Sequence, residues 1–139
     1  MAYADEEPVD LTGAPLELDP LGADLEGIVR AEDGTYWMVD EYRPAIYHFT
    51  PDGTLAARYV PEGSNSEETG VAVGEEAIPA IYAQRRANRG CEAVALRDGI
   101  LYAFIQSPID NPDGGKDNSS KAATPVSYTH LTLPTSDLV

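Results

Sequence analysis

Carboxylates are the residues best placed to do chemistry in this chain. Asp24 and Glu26 stand two apart, Asp40 and Glu41 are adjacent, and Glu92 precedes an apolar run. Carboxylates gathered at strand ends hold Ca²⁺ through oxygen, or act as general acid and base when their surroundings push their pKa values apart. Each also has a plainer use, as a turn cap or as the partner of an arginine. The arginines offer a second chemistry. Arg85, Arg86 and Arg89 place three of the nine basic residues within five positions. Their guanidinium forks suit a phosphate, and equally suit the many acidic side chains.

Other chemistries find few residues. His48, between Tyr47 and Phe49, reads as a structural or surface histidine, and no Ser-His-acid arrangement stands out. Zinc is disfavoured by the same shortage of ligands. There is no GxGxxG and no phosphate-loop lysine motif. Asp113-Gly114-Gly115-Lys116-Asp117-Asn118 lacks the spacing of a calcium loop.

The totals narrow the classes further. At 139 residues the chain suits one domain with a modest core. With 24 acidic and 9 basic residues its net charge is −15. That excludes the basic footprint of a nucleic-acid binder and disfavours unaided binding of a polyanion. A divalent cation held by carboxylates would reverse that logic, although acidity also simply confers solubility. The single cysteine, Cys91, rules out an internal disulfide and a four-cysteine zinc site. No apolar run is long enough for a membrane helix. The start, MAYADEEP, has neither the basic nor the apolar region of a signal peptide. Nothing in the sequence points to an oligomer.

These residues need strands to position them. From Asp24 to Gly53 the chain reads as three short strands, Ile28–Arg30, Tyr36–Asp40 and Ala45–Thr50, with a fourth over Leu55–Val60. Asp33-Gly34 and Asp52-Gly53 are hairpin signals, because Gly supplies the positive φ that tight turns need. Four antiparallel strands in this length match one propeller blade. In the second strand Tyr36, Met38 and Asp40 share one face, with Trp37 and Val39 on the other, and Trp37 reads as core.

Around this unit the pattern is looser. Residues 1–23 read as an irregular, proline-bearing lead-in with one edge strand near Leu16–Leu18. Residues 61–77 read as an acidic loop, with a short strand at Val71–Val73. A short helix is expected within 78–89. Strands return at Ala93–Leu96 and Ile100–Gln106, joined by Asp98-Gly99. Glu92-Ala93-Val94-Ala95 echoes Glu26-Gly27-Ile28-Val29 at a spacing of 66 residues. Two copies of "Glu, apolar strand, Asp-Gly, apolar strand" are the pattern of a repeat fold. In a propeller each such Glu starts an innermost strand beside the central channel. Residues 113–124 read as a flexible loop.

The segment 125–139 departs from the rest. PVSYTHLTLPT resembles the translated read-through of a transposase adapter used in preparing sequencing libraries. The expectation is that the natural sequence stops near Thr124, that 125–139 is non-native, and that Ser127 and His130 carry no function.

The ordered motifs of residues 20–112 are similar to a known family. Asp24-x-Glu26-Gly27-Ile28 is followed by Asp33-Gly34-x-Tyr36-Trp37-x-x-Asp40-Glu41-Tyr42 and by Pro51-Asp52-Gly53. Then come Asn88-Arg89-Gly90-x-Glu92 and a strand ending in Gln106-Ser107-Pro108. This set resembles the phytase-like β-propeller family described as having esterase-like activity of phytase. The resemblance implies an all-β fold, here a partial propeller of about one and a half four-stranded blades over 24–112. It implies export, to the periplasm or beyond the cell in bacteria. It also implies a phosphoester or ester hydrolase acting on a small molecule.

On that footing Asp24, Glu26 and Glu92 are the expected Ca²⁺ ligands, and Arg85, Arg86 and Arg89 the expected substrate contacts. A lactonase or carboxylesterase on a similar propeller, or a non-catalytic binding scaffold, are the alternatives. The later blades and an export signal are not seen. The piece is therefore expected to be inactive alone, and its unpaired apolar edges to make it poorly soluble or molten.

Overall fold

The computed structural model describes residues 8–17, 19–65, 72–86, 88–109 and 128–132. These residues are mostly strands, and the fold is all-β. Sheet 1 contains β1 (Leu25–Arg30), β2 (Tyr36–Asp40), β3 (Ile46–Phe49), β4 (Leu55–Pro61) and β5 (Glu75–Ile78), in that order. Sheet 2 contains β6 (Cys91–Arg97), β7 (Ile100–Ile105) and β8 (Tyr128–Thr132).

The meander β1–β4 follows the turn chemistry of the sequence. Gly34 and Gly53 both take positive φ, at 90° and 86°. Asp33 and Asp52 brace these turns: Asp33 accepts from the Thr35 N–H and hydroxyl, and Asp52 from the Thr50 hydroxyl. At the β6–β7 turn Asp98 and Gly99 are both left-handed, at 51° and 72°, which is the two-residue hairpin geometry.

Two elements differ from expectation. The acidic stretch read as loop supplies β5, which runs parallel to β4 with Tyr59 opposite Glu75. Its ladder is formed by backbone groups, so a segment whose Glu75, Glu76 and Ala77 are exposed and whose Ile78 alone is buried can serve as an edge although no apolar alternation announces it. Asn65 brings it back: its amide donates to Gly74 O at 2.8 Å and accepts from Val73 N–H at 2.7 Å. Of the strand expected at Val71–Val73, Val71 lies outside the described residues and Ala72 and Val73 precede β5, which begins at Glu75. The expected helix is one turn of 3₁₀ helix, Ala80–Gln84. Pro79 precedes it and Arg85 takes an extended ψ of 154°, so the turn is not continued into an α-helix.

In the lead-in, Val9 and Pro15 form an isolated bridge rather than a strand near Leu16–Leu18, of which Leu18 lies outside the described residues. Residues 113–124 also lie outside them. Within 125–139, Tyr128–Thr132 pairs antiparallel with β7. Ladder bonds are indifferent to side-chain identity, and β7 offers an open edge to any extended segment.

The two sheets pack face to face. Trp37, Val39 and Ile46 of sheet 1 meet Cys91, Leu101, Ala103 and Ile105 of sheet 2, with Ile78 and Tyr82 closing one side. At about 25 cal/mol per Å² of apolar surface, each large side chain there contributes about 1.5–3 kcal/mol. Trp37 is core, as its strand face implied, and stacks on His48 at 4.1 Å between ring centroids. The closest approach of the sheets is β1 against β6. A Cβ on Gly27 would lie 2.9 Å from Val94 N and 3.1 Å from Ala93 Cα. Only glycine lets these strands come so near. The opposite face of sheet 1 buries Ala45, Tyr47, Val60 and Val73, but leaves Ile28 59 % and Leu55 49 % exposed.

Candidate metal centre

Both glutamates of the sequence echo sit at β-bulges. The β1–β2 register slips by one residue between Leu25 and Ile28, which brackets Glu26. The β6–β7 register slips by one between Cys91 and Ala93, which brackets Glu92. A bulge adds one residue to one strand and re-aims its side chain, a device common beside functional sites. The repeat seen in the sequence is thus a repeat of backbone geometry as well.

The bulge in β1 places Glu26 beside the β2–β3 turn. Asp24, Glu26 and Glu41 each bring a carboxylate oxygen within 4.8 Å of the other two. Oxygen donors at such separations fit a hard cation that takes several carboxylate ligands. Asp24 and Glu41 are half-buried, and Glu26 is exposed. The Glu41 N–H donates to Asp24 O at 3.0 Å, which fixes the two backbones relative to each other. Glu41 has a raised pKa. Loss of hydration contributes most, followed by the negative charges of Glu92, Asp24 and Glu26, while a hydrogen bond from Gln106 opposes the rise.

Glu92 therefore acts on Glu41 through its charge, yet it is outside the three-carboxylate group. Glu41, one of the strand-end carboxylates of the sequence reading, completes the group with Asp24 and Glu26. The Asp40-Glu41 pair at the end of a strand was the available signal. What it lacked was the turn that folds Glu41 back towards Asp24.

Asp40, although adjacent, is a different kind of residue. It is fully buried, and its oxygens are occupied by protein groups. Oδ1 accepts from the backbone N–H groups of Tyr42 at 2.9 Å, Asp24 at 3.2 Å and Arg43 at 3.2 Å. Oδ2 accepts from the Tyr47 hydroxyl at 2.9 Å and faces Arg58 Nη2 at 4.0 Å. Burial raises its pKa, and the bonds from Arg43 N–H, the Tyr47 hydroxyl and the other backbone donors pull it back.

Sheet 2 supplies the other wall. Gly90 N–H donates to Glu41 O at 2.5 Å, and Gln106 N–H to Gly90 O at 2.9 Å. Arg89 Nη1 donates to Gln106 Oε1 at 2.6 Å, and Gln106 in turn bonds Glu41. Arg85 Nε donates to Tyr42 O at 2.7 Å. Arg86 is buried, at 5 % exposure. The three arginines thus do not form one anion-binding fork. Arg85 braces the β2–β3 turn, Arg86 is interior, and Arg89 is joined to the carboxylate group through Gln106.

A family model for phytase-like proteins, described as esterase-like activity of phytase, matches residues 4–136. The chain belongs to the phytase-like family. A relative from Arthroderma benhamiae, described as an uncharacterized secreted protein, is 33 % identical over 123 residues. That alignment covers 78 % of this chain but 24 % of the relative, so the chain spans about a quarter of the relative's length. No solved structure matches the chain. Within this phytase-like chain part of the set of residues that carries the resemblance converges in space. Asp24 and Glu26, Asp40 and Glu41, Gly90, and Arg89 with Gln106 all meet at one end of the two-sheet packing. No helix among the described residues is long and apolar enough to cross a membrane.

Proposed function

We propose that this phytase-like chain contributes a Ca²⁺ site to a hydrolase that acts on small phosphoester or ester substrates. The single observation that carries the reading is the gathering of Asp24, Glu26 and Glu41 within 4.8 Å on a bulge and an adjoining turn. A net charge of −15 repels an anionic substrate, and a bound divalent cation offers it a positive contact. In the chemistry proposed, Asp24, Glu26 and Glu41 would hold the cation, which would supply Lewis-acid polarisation of a phosphoryl or carbonyl oxygen. Glu92 keeps the pocket negative without ligating in the first instance. Arg89, linked to Glu41 through Gln106, is the arginine best connected to this site; Arg85 and Arg86 support its wall.

The face-to-face packing of two sheets through β1 and β6 fits neighbouring propeller blades with their innermost strands adjacent. The length of the relative leaves room for further blades, and whole-protein activity would belong to that longer assembly. The relative's description as secreted supports an extracellular setting, where Ca²⁺ sites work at roughly 10⁻⁴–10⁻³ M. The test is hydrolysis by a full-length protein carrying this chain, assayed with and without Ca²⁺ on phosphomonoesters, phytate, lactones and carboxylic esters. Calcium-dependent turnover lost in Glu26→Gln supports the reading. Turnover indifferent to both Ca²⁺ and Glu26→Gln rejects it. The pattern of substrates separates phosphatase from lactonase or carboxylesterase, and no turnover at all favours a binding scaffold.

A further inference from the structure

Resting on the cation reading, we infer that Asp40, Tyr47 and Arg58 form a buried positioning unit that sets the geometry of the Asp24–Glu41 site without touching the ion. Asp40 lies beside the three-carboxylate group and carries the same functional group, so it is the obvious fourth ligand. Its surroundings assign it otherwise. Oδ1 gathers the backbone N–H groups of Asp24, Tyr42 and Arg43. These flank or belong to the two residues whose backbones must be held for the site to form. Glu41 N–H then closes the loop by donating to Asp24 O at 3.0 Å. A carboxylate that accepts from three N–H donors on one oxygen is spent as a ligand on that side.

The other oxygen is locked from sheet 1. Tyr47 donates its hydroxyl to Oδ2 at 2.9 Å and is itself 4 % exposed. The Arg58 guanidinium stacks over the Tyr47 ring, 5.1 Å from its centroid, and stands 4.0 Å from Oδ2. Its Nε, Nη1 and Nη2 are buried without a hydrogen-bond partner. A guanidinium is rarely buried so, and here Asp40 is its counter-charge while Tyr47 fixes both. The unit reaches from β4 through β3 to the end of β2. It couples the rigid middle of the sheet to the turn that carries Glu41. Outer residues that orient metal ligands typically alter metal affinity by about 10–100-fold when changed.

Replacing Asp40 by Asn removes a charge near the site and leaves Arg58 without its Asp40 counter-charge, so weaker binding in D40N does not separate loss of field from loss of positioning. Tyr47→Phe is the decisive variant, because it changes no charge and keeps the ring beneath Arg58. The experiment is calorimetric titration of Ca²⁺ into the wild-type chain, D40N and Y47F below their unfolding transitions, with thermal midpoints measured in parallel. The expected result is Ca²⁺ binding weakened about 10-fold in Y47F and at least as much in any folded D40N. A Y47F protein with a lowered midpoint but wild-type affinity overturns the positioning role and leaves the cation site standing. Absence of Ca²⁺ binding by the wild type rejects the cation reading, and the positioning role falls with it.

Discussion

Gly90→Ala tests whether the two sheets meet as described. Gly90 takes no left-handed φ, so alanine is conformationally acceptable there and the cost comes from space alone. A Cβ would lie 2.4 Å from Glu41 O, 2.6 Å from Asp40 O and 2.9 Å from Glu41 C, all backbone atoms that no rotamer change can move. To reach an ordinary contact of 3.4 Å, the Glu41 carbonyl must withdraw by about 1 Å. That movement breaks the 2.5 Å bond from Gly90 N–H to Glu41 O. Overpacking costs about 1–3 kcal/mol, and the lost hydrogen bond about 0.5–1.5 kcal/mol. The stiffer unfolded chain returns about 0.4–1 kcal/mol. The expected net loss is about 0.5–4 kcal/mol, or roughly 2–16 °C in thermal midpoint for a domain of this size. The same displacement pulls Glu41 from Asp24, so Ca²⁺ binding should weaken as well. Gly53→Ala is the control. Gly53 has φ of 86° and no atom within 4 Å of an added Cβ, so its cost is left-handed strain alone, about 1–2 kcal/mol, with Ca²⁺ binding unchanged. Urea and thermal unfolding, followed through Trp37 fluorescence, measure both. A G90A protein within about 0.5 kcal/mol of wild type would refute the close packing of Gly90 on the Glu41 turn.

Three further outcomes follow from the same geometry. Cys91 is 1 % exposed, and burial together with the Asp40 charge pushes its thiol up to about 12. Native protein should resist a thiol reagent at pH 8, and the thiol should react only on unfolding; rapid modification in the native state contradicts the burial. Replacing Ile28 and Leu55 by Thr on the open face of sheet 1 should reduce self-association in sedimentation without lowering the thermal midpoint by more than about 1 kcal/mol equivalent. Unchanged association would place the sticky surface elsewhere. His48 has a lowered pKa, from burial against Trp37 and partly offset by Asp33. The unfolded chain therefore binds its proton more readily, and stability should fall as pH drops through about 6.5. His48→Gln should flatten that step, and an identical pH profile would argue against it.

Much of the fold is legible because it is written in local rules. Asp33-Gly34, Asp52-Gly53 and Asp98-Gly99 specify their turns, and the short continuous apolar runs in Tyr36–Asp40 and Ile100–Ile105, rich in aromatic and β-branched residues, specify strands beside them. β5 is not legible, because a Glu-rich edge held through Asn65 and backbone bonds carries no side-chain period. The site is legible in part. Asp24 and Glu26 stand out as a pair, and the echo at Glu92 marks the inner strands. The roles within the site depend on tertiary placement. Glu41 becomes a candidate ligand only once its turn folds against β1. Asp40 becomes structural only once Tyr47 and Arg58 are brought beneath it. The arginine cluster, near in sequence, suits a phosphate or the acidic side chains equally, yet the 3₁₀ turn and the approach to β6 send Arg85 to the Tyr42 carbonyl, Arg86 into the interior and Arg89 to Gln106.

The cation site itself is tested by the thermal midpoint of wild type and Glu41→Gln, in a chelator and in Ca²⁺. Glu41 has a raised pKa in the fold, so its ionisation opposes folding. That penalty is absent below about pH 4.5 and sets in as pH rises through the folded value. In chelator at pH 7, E41Q should therefore be at least as stable as wild type, and the difference should close towards pH 4. A site with Kd of about 1 mM gains about 1.4 kcal/mol at about 10 mM Ca²⁺, a rise of about 5 °C. Wild type should show that rise at pH 7 and E41Q should not. A wild-type midpoint that stays fixed as Ca²⁺ is added, or an E41Q midpoint that climbs equally, contradicts a cation held by Asp24, Glu26 and Glu41.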